Sequence, residues 1–266
     1  PPGTPAGGLS RVPYLPGLDG LRAIAVVAVM IYHAHHDWLP GGFLGVEVFF
    51  VISGYLITLL LMGEKERSGH IDLRQFWARR FRRLLPALYV MMTLVAVYIA
   101  AFYAVAREQT RGDFVSGVLY VSNWYQIFVG LGYGASEAFV PLRHLWSLAV
   151  EEQFYLVWPW VVLLLPMRAI GPAVVAAILL GIGFRAGVLM TPLADRQTAI
   201  WVLTPAAFDA LGAGALLALL ARRGLNIAPV TWLLAPAALL WLAIDVSTRK
   251  GWLPDIEDMR ARITPN

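Results

Sequence analysis

An arginine and a histidine lie eleven residues apart in the first apolar run of this sequence, GLDGLRAIAVVAVMIYH. Eleven residues complete about three helical turns, so Arg22 and His33 are expected on one helix face. A turn at residues 35–42 precedes a second apolar run that contains Glu47. A tight helical hairpin would bring His33 and Glu47 to a similar depth. Because imidazole titrates near neutral pH, this pattern is typical of a general base near a carboxylate; the alternative is a structural histidine between helices.

A later apolar run carries polar side chains at spacings of three, four and four residues: His144, Ser147, Glu151 and Tyr155. These spacings place the four side chains along one face of a helix. Glu152 is rotated away from that face by about 100°. We interpret the polar face as one wall of a functional cavity, and the alternative is hydrogen bonding between helices.

A basic segment at residues 72–88 reads DLRQFWARRFRRLLPAL. Asp72 followed by Gln75 is typical of a capping box at a helix start. The apolar residues then recur on one face, which predicts an amphipathic helix lying at the membrane interface.

A helical wheel of this segment divides four arginines into two pairs. Arg80 and Arg83 each follow an apolar residue by seven positions and share the apolar face, whereas Arg79 and Arg82 lie on the polar face. We therefore expect Arg80 and Arg83 to point toward protein or a bound anion. A guanidinium fork matches a phosphate group, and the alternative is contact with anionic lipid headgroups.

The composition indicates an all-α polytopic membrane protein. Of 266 residues, 59% are hydrophobic and the mean hydropathy is +0.65, whereas a soluble domain is about 45–50% apolar. The absence of cysteine excludes thiol nucleophiles, disulfides and thiolate metal sites. The net charge is +4, but the cations cluster beside apolar runs, which indicates membrane topology and not nucleic-acid binding.

Seven apolar runs have about the length that a membrane crossing needs, roughly 20 residues. They are expected near residues 22–38, 43–62, 84–103, 145–165, 173–190, 200–220 and 228–245. Residues 113–131 are a further candidate, which gives seven to eight membrane segments. We predict a disordered tail at 1–16, a transmembrane domain at 17–245 and a polar tail or loop at 246–266.

The distribution of basic residues predicts the orientation. Residues 63–83 form the most basic loop and are expected to be cytoplasmic, which places the N-terminus inside and the 35–42 turn outside. If residues 113–131 cross the membrane, Arg222 and Arg223 fall outside; if they re-enter or lie in the interface, both fall inside. The charge rule favours the second interpretation.

Four blocks together resemble the membrane-bound acyltransferase-3 family. They are LDGLRAIAVVAVMIYH, GVEVFFVISGYLIT, ARRFRRLLPAL and HLWSLAVEEQFYLVWP, in this order over residues 15–160. The resemblance implies an integral membrane O-acyltransferase that uses cytoplasmic acyl-coenzyme A, most simply acetyl-CoA. The acceptor would be a hydroxyl of an extracytoplasmic glycan, glycolipid or related metabolite. The family domain has more spans than this chain, so C-terminal spans are expected to be missing.

The resemblance and the spacing together suggest roles for individual residues. His33 would deprotonate the acceptor hydroxyl or act on the acyl thioester, with Glu47 and Glu151 orienting it or balancing its charge. Arg80 and Arg83 would hold the coenzyme A phosphates. The remaining candidates for substrate binding are Arg22, Asp19, His144, Ser147 and Tyr155. For Arg22, the alternative is a helix-end arginine that reaches the headgroups.

Two alternatives come from other functional classes. A proton-coupled transporter also uses buried His and Glu residues, but no internal repeat is visible in the sequence. A scaffold or flippase-like partner without chemistry is the third interpretation.

Other polar residues have simpler expected roles. Arg185 and Asp209, in later apolar runs, are expected to form a structural ion pair. His33, His35 and His36 are too closely spaced for one helix face, so no metal is expected. The expected partners are acyl-CoA, the acceptor and the lipid bilayer of a cell (inner or plasma) membrane.

Overall fold

The computed structural model describes residues 16–35, 38–103, 107–128, 141–191 and 199–224. All regular elements in these ranges are helical, as predicted. The helices are α1 (Pro16–Ala34), α2 (Gly45–Ser68), α3 (Leu73–Phe102), α4 (Arg107–Val118), α5 (Ser122–Phe128), α6 (Leu145–Leu164), α7 (Met167–Val188), α8 (Ala199–Val202) and α9 (Phe208–Arg222), with 3₁₀ turns at Pro40–Leu44 and Thr204–Ala207. The predicted 1–15 portion of the tail, the 228–245 span and the 246–266 segment lie outside the described residues.

Five of the described helical segments are long and apolar enough to cross a membrane. They are Gly17–Ala34, Pro40–Ser68, Leu73–Phe102, Met167–Val188 and Thr204–Arg222. The chain is therefore a polytopic helical membrane protein. Helix α6 lies where a span was predicted, but it is not among the five, and the polar sequence Glu151-Glu152-Gln153 lowers its hydropathy.

Helix α3 corrects the prediction of a separate interfacial helix followed by a span. One continuous helix of 30 residues runs from Leu73 to Phe102, about 45 Å at 1.5 Å per residue. The predicted cap is present, since the Asp72 carboxylate accepts the backbone N–H of Gln75 at 2.9 Å. In a full capping box the Gln75 side chain would accept the backbone N–H of Asp72. Here Glu64 accepts this N–H instead, at 2.8 Å.

The arginine pairs of α3 are only partly as predicted. Arg80 is half-buried, but Arg83 is exposed, like Arg79 and Arg82. The more buried positions of α3 follow a four-residue spacing: Phe76, Arg80, Leu84, Leu88 and Met92. Four residues turn a helix by about 400°, so the buried face of α3 rotates by about 40° with each of these residues. Arg83 therefore does not lie on the buried face.

Residues 107–128 form two short helices instead of one crossing helix. They are separated at Tyr120, whose φ of 55° is in the left-handed region. Neither helix is among the five membrane-crossing candidates, which agrees with the favoured interpretation, although re-entry itself stays a prediction.

The described residues divide into two compact units. The smaller contains residues 16–35, 38–49 and 219–224. In it α1 and the 3₁₀ turn form the predicted hairpin. A Cβ on Gly42 would lie 2.8 Å from Cβ of Tyr32, and one on Gly45 would lie 2.5 Å from the Ala25 carbonyl. Only glycine at these positions allows the two segments to approach so closely.

The larger unit contains residues 50–103, 107–128, 141–191 and 199–218. Its buried residues include Leu61, Val150, Val162 and Leu211, from α2, α6 and α9. Lys65 of α2 donates to three carbonyls at the end of α6, those of Val162, Leu163 and Leu165, at 2.5–3.0 Å. A lysine ammonium has three donors, so one side chain satisfies carbonyls that the helix end leaves without partners.

Candidate functional site

In the larger unit, α3 and α6 meet at one arginine and two glutamates. Arg80 Nε donates to Glu152 Oε1 at 2.7 Å, and its NH2 nitrogen lies 3.9 Å from Glu151 Oε2. The Arg80 and Glu151 side chains are each 21% exposed and that of Glu152 is 8% exposed. We call Arg80, Glu151, Glu152 and Tyr155 the carboxylate cluster.

The Glu151 carboxylate is oriented by two hydroxyl groups. Ser53 of α2 and Tyr155 of α6 both donate to its Oε1, the tyrosine at 3.1 Å. The Arg80 guanidinium lies over the Tyr155 ring, 3.4 Å from its centroid. Tyr155 therefore contacts both the cation and one of its two anions, and it is itself buried.

A proline in α6 explains why α3 docks at this position. Pro159 has no backbone N–H, so it cannot bond to the carbonyl of Tyr155 four residues earlier. Trp77 of α3 supplies the absent donor, since its indole N–H lies 3.1 Å from that carbonyl. Trp77 is one helical turn before Arg80, so this bond holds Arg80 level with Glu151 and Glu152.

The carboxylate cluster, as defined here, contains two carboxylates and one guanidinium. Arg80 faces both Glu151 and Glu152. Such a cluster attracts protons and orients hydroxyl groups, but a phosphate would add a third anion to the same arginine. The geometry thus favours Arg80 as the residue that holds the two carboxylates.

His33 lies in the smaller unit and is exposed near the end of α1. Its Nδ1 is 2.9 Å from the carbonyl oxygen of Val29, one turn earlier. A carbonyl only accepts, so Nδ1 carries the proton and Nε2 holds the lone pair of the neutral ring. The Tyr32 ring meets the imidazole edge-on, with centroids 5.3 Å apart.

The structure brings together some of the predicted site residues. Arg80, Glu151 and Tyr155 are in one cluster, and Asp19 and Arg22 pair at 3.5 Å on the exposed surface of α1. Other candidates of the larger unit have different surroundings, since Ser147 donates to the carbonyl of His144 on its own helix and His144 is exposed.

Sequence reasoning missed Glu152, because it assumed that α6 buries only one face. The rotation of about 100° that seemed to exclude Glu152 places it against α3, while Glu151 reaches Ser53 on α2. Two consecutive glutamates in an apolar run were the available signal.

Gln153, the next residue of α6, belongs to a separate buried amide network. Its Nε2 is 3.0 Å from Asn123 Oδ1 and 2.7 Å from the Tyr120 carbonyl. Thr204 donates to Gln153 and accepts from Asn123. This network ties α5 and the Thr204 turn to α6 next to the carboxylate cluster. In the described ranges no group of three or more His, Asp or Glu could hold a metal ion.

Comparisons with known proteins agree with the resemblance in the sequence. A family model described as an acyltransferase domain, acyltransferase-3, matches residues 15–248. A peptidoglycan O-acetyltransferase OatA of Listeria monocytogenes is 44% identical over 208 residues, 76% of this chain and 33% of that protein. An O-acetyltransferase OatA of Staphylococcus aureus is 51% identical over 155 residues, 58% of this chain and 26% of that protein. The chain thus spans a third or less of these relatives. No solved structure matches.

Proposed function

Because the chain belongs to the acyltransferase-3 family, we propose that this protein is a multi-pass membrane O-acetyltransferase of a cell-wall glycan. The names of the relatives support acetyl as the acyl group, and the Listeria relative is named for peptidoglycan. Acyl-CoA, most simply acetyl-CoA, is the proposed donor. The proposed location is the cell membrane with a cytoplasmic N-terminus.

The observation that carries this proposal is the carboxylate cluster. Acyl transfer to a hydroxyl requires groups that orient the hydroxyl and accept its proton, and partly buried carboxylates do both. Ser53, Tyr155 and Arg80, from three different helices, hold Glu151 by three contacts. A carboxylate fixed in this way is suited to positioning a reacting group.

His33 is the proposed general base. Its Nδ1–H is held by the Val29 carbonyl, which leaves Nε2 as the basic atom of the neutral ring. Nε2 takes the proton of the acceptor hydroxyl while the hydroxyl oxygen bonds to the acyl carbon. The bond from that carbon to the coenzyme A sulfur breaks, and the thiolate takes up a proton. Glu47, on the second helix of the same hairpin, is proposed to balance the imidazolium charge.

The donor phosphates are proposed to bind at exposed arginines of α3. Arg83 is the first candidate because it is exposed, whereas Arg80 already faces two carboxylates. The predicted contributions of Arg22, Asp19, His144 and Ser147 to substrate binding remain proposals.

The test uses the full-length protein in membranes of a bacterium that lacks its own O-acetyltransferases. Labelled acetyl-CoA is supplied on the cytoplasmic side, and acetyl esters on the glycan and released thiol are measured. We expect His33→Ala to lower both by about 10²–10⁴-fold, the usual cost of losing one acid–base group. His35→Ala is the matched control, since His35 is an exposed neighbour that stacks on Trp38.

Three results would contradict this proposal. A His33→Ala variant with more than about a third of the wild-type rate would exclude His33 as the base. Proton-coupled solute flux without acyl transfer would instead indicate a transporter. A protein without either activity would indicate a scaffold.

A further inference from the structure

The side-chain amide of Gln153 uses every hydrogen-bonding position that it has. Its Nε2 donates to the Tyr120 carbonyl at 2.7 Å and to Asn123 Oδ1 at 3.0 Å. Its Oε1 accepts from the indole N–H of Trp124 at 3.1 Å and from the Thr204 hydroxyl. A carbonyl can only accept and an indole N–H can only donate, so these contacts allow a single orientation of the amide.

Two partners of Gln153 also bond to each other. Asn123 Nδ2 donates to Thr204 Oγ1 at 2.8 Å, which closes a ring of three side chains. Asn123 is 0% exposed and Thr204 is 7% exposed. When one member of a buried ring moves, the groups that it served lose their partners, and this loss is costly in a low dielectric. The ring is therefore compatible with only a narrow range of rotations of α6.

The backbone that receives the Gln153 amide is strained. Tyr120 has a φ of 55°, a region that bulky side chains rarely adopt. Its N–H donates to the Gly117 carbonyl at 3.2 Å, and its own carbonyl accepts from Gln153. Such strain persists only when the surroundings enforce it. The Gln153 bond is one of the contacts that enforce it, so the amide and this turn together stabilise one arrangement of α5 against α6.

Three consecutive residues of α6 contact three different parts of the fold. Glu151 reaches α2, Glu152 reaches α3, and Gln153 reaches α5 and the 3₁₀ turn at Thr204–Ala207. Successive residues are about 100° apart, so one rotation of the helix sets all three directions. Turning α6 by about 20° would move a group about 5 Å from its axis by about 2 Å, enough to break a normal hydrogen bond. Whatever fixes the direction of Gln153 therefore fixes the directions of both carboxylates.

The polarity of residue 153 matters because hydrogen bonds depend on direction, whereas an apolar side chain would fill the space at several rotations. A misplacement of about 1 Å can lower the rate of a reaction by about 10²-fold. We propose that Gln153 is a positioning residue, whose fully bonded amide fixes the rotation of α6 and thereby aims Glu151 and Glu152 for acyl transfer. This inference rests on the proposed acyltransferase function.

The first experiment measures acyl transfer by the full-length protein in membranes for wild type, Gln153→Met and the control Thr58→Val. Methionine keeps an unbranched side chain and removes all four hydrogen bonds. The control also removes a buried hydrogen bond of α6, since Trp158 donates to the Thr58 hydroxyl at 2.9 Å. Per folded molecule, we expect Gln153→Met to lower kcat by about 10–100-fold and to leave the KM for acetyl-CoA nearly unchanged. Thr58→Val should leave both close to wild type.

Thr204→Val is the milder variant, and it decides the question if Gln153→Met does not fold. It makes the same substitution as the control, but it opens the ring by removing the hydroxyl between Asn123 and Gln153. We expect a fall in kcat of about tenfold per folded molecule. A difference between Thr204→Val and Thr58→Val cannot come from the loss of a buried hydroxyl alone.

A second series tests whether Gln153 acts through Glu151. Glu151→Gln is combined with Gln153→Met or Thr204→Val and, separately, with Thr58→Val. Residues that act as a unit give non-additive effects. We therefore expect Glu151→Gln to lower kcat much less in the two ring variants than in wild type, and equally in the Thr58→Val background. A loss of folded protein would not produce this pattern.

The rotation of α6 can also be measured without the reaction. The 266 residues contain no cysteine, so Ser53→Cys combined with Glu151→Cys introduces one defined pair. Its cross-linking by a short bifunctional thiol reagent is followed by peptide mapping. We expect cross-linking to be several-fold slower when Gln153→Met or Thr204→Val is added, and unchanged when Thr58→Val is added.

The outcomes separate this inference from the proposed function. A wild-type kcat in the folded ring variants, an effect confined to KM, or an equal effect of Glu151→Gln in all backgrounds would overturn the inference. Unchanged cross-linking in the ring variants would also overturn it. Slower cross-linking in these variants, with no acetyl transfer by the wild type, would overturn the proposed function and support the control of α6 rotation by Gln153.

Discussion

Two arginines of the larger unit show how similar side chains are used for different purposes. Arg185 of α7 meets one carboxylate, with Nε 3.0 Å from Asp209 Oδ2 and NH2 3.1 Å from Oδ1. Its Nε also lies 3.1 Å from the Ala206 carbonyl, and the guanidinium is 4.8 Å from the Trp201 ring centroid. Arg80 meets two carboxylates and a tyrosine ring. In these contacts Arg185 faces one carboxylate, whereas Arg80 faces two.

This difference separates a structural pair from a candidate site. In a bidentate ion pair, removal of either partner takes away the counter-charge of the other. In the carboxylate cluster, one carboxylate can be neutralised and the remaining pair is still balanced. A second carboxylate beside one arginine is expected where chemistry requires a carboxylate that can change its protonation state. Substitutions in the carboxylate cluster should therefore lower activity more than stability. Substitutions of the Arg185–Asp209 pair should lower stability more than activity.

The largest expected effect is on activity, from Glu151→Gln. The amide still accepts from Ser53 and Tyr155, and Arg80 still has Glu152 at 2.7 Å. We expect acyl transfer to fall by about 10²–10⁴-fold while the melting temperature stays within a few degrees of wild type. Activity assays and thermal melts in one detergent check this prediction. A large loss of stability with normal activity per folded molecule would make the cluster structural.

The sequence predicted the Arg185–Asp209 ion pair more completely than the carboxylate cluster. Arg185 and Asp209 each interrupt an apolar run, and an isolated charge in such a run needs one partner of opposite sign. The carboxylate cluster depends on three helices and on contacts between residues 72 and 98 positions apart in the sequence. A single-helix wheel found Arg80, Glu151 and Tyr155.

The wheel could not predict residues whose role depends on a neighbouring helix. It missed Glu152 and Ser53, since it cannot show that α6 is covered on two sides. It also placed Arg83 inward, because it could not show how the buried stripe drifts along a continuous α3. The spacing within one helix is local information, whereas the choice of buried face is made by tertiary contacts.

The next effect in size is on stability, from Asp209→Asn. The amide keeps an oxygen for the backbone N–H of Ala210, which the carboxylate accepts at 2.7 Å, but Arg185 loses its counter-charge. We expect a loss of about 3 kcal/mol in unfolding free energy, in the range for breaking a buried pair. Activity per folded molecule should stay within a few-fold of wild type.

A double variant sharpens this second test. Arg185→Met combined with Asp209→Asn removes the stranded charge and should recover most of the lost stability, as seen when buried pairs are replaced together. The two single variants and the double variant are compared by chemical denaturation. If the double variant is no more stable than Asp209→Asn, the loss does not come from a stranded charge.

The smallest expected effects come from the aromatic ring beside each arginine. Tyr155→Phe keeps the ring under Arg80 and removes only the hydroxyl that donates to Glu151 at 3.1 Å. Trp201→Phe keeps a ring near Arg185 with a weaker attraction for the cation, and the stability loss should be about 0.5–1 kcal/mol without a change in activity. Tyr155→Phe should lose about 1 kcal/mol or less, because Ser53 still holds Glu151. Its activity should nevertheless fall several-fold, because Glu151 then has one restraint fewer. Equal behaviour of the two variants in both assays would mean that the rings only stabilise, and that the proposed division between the two arginines is wrong.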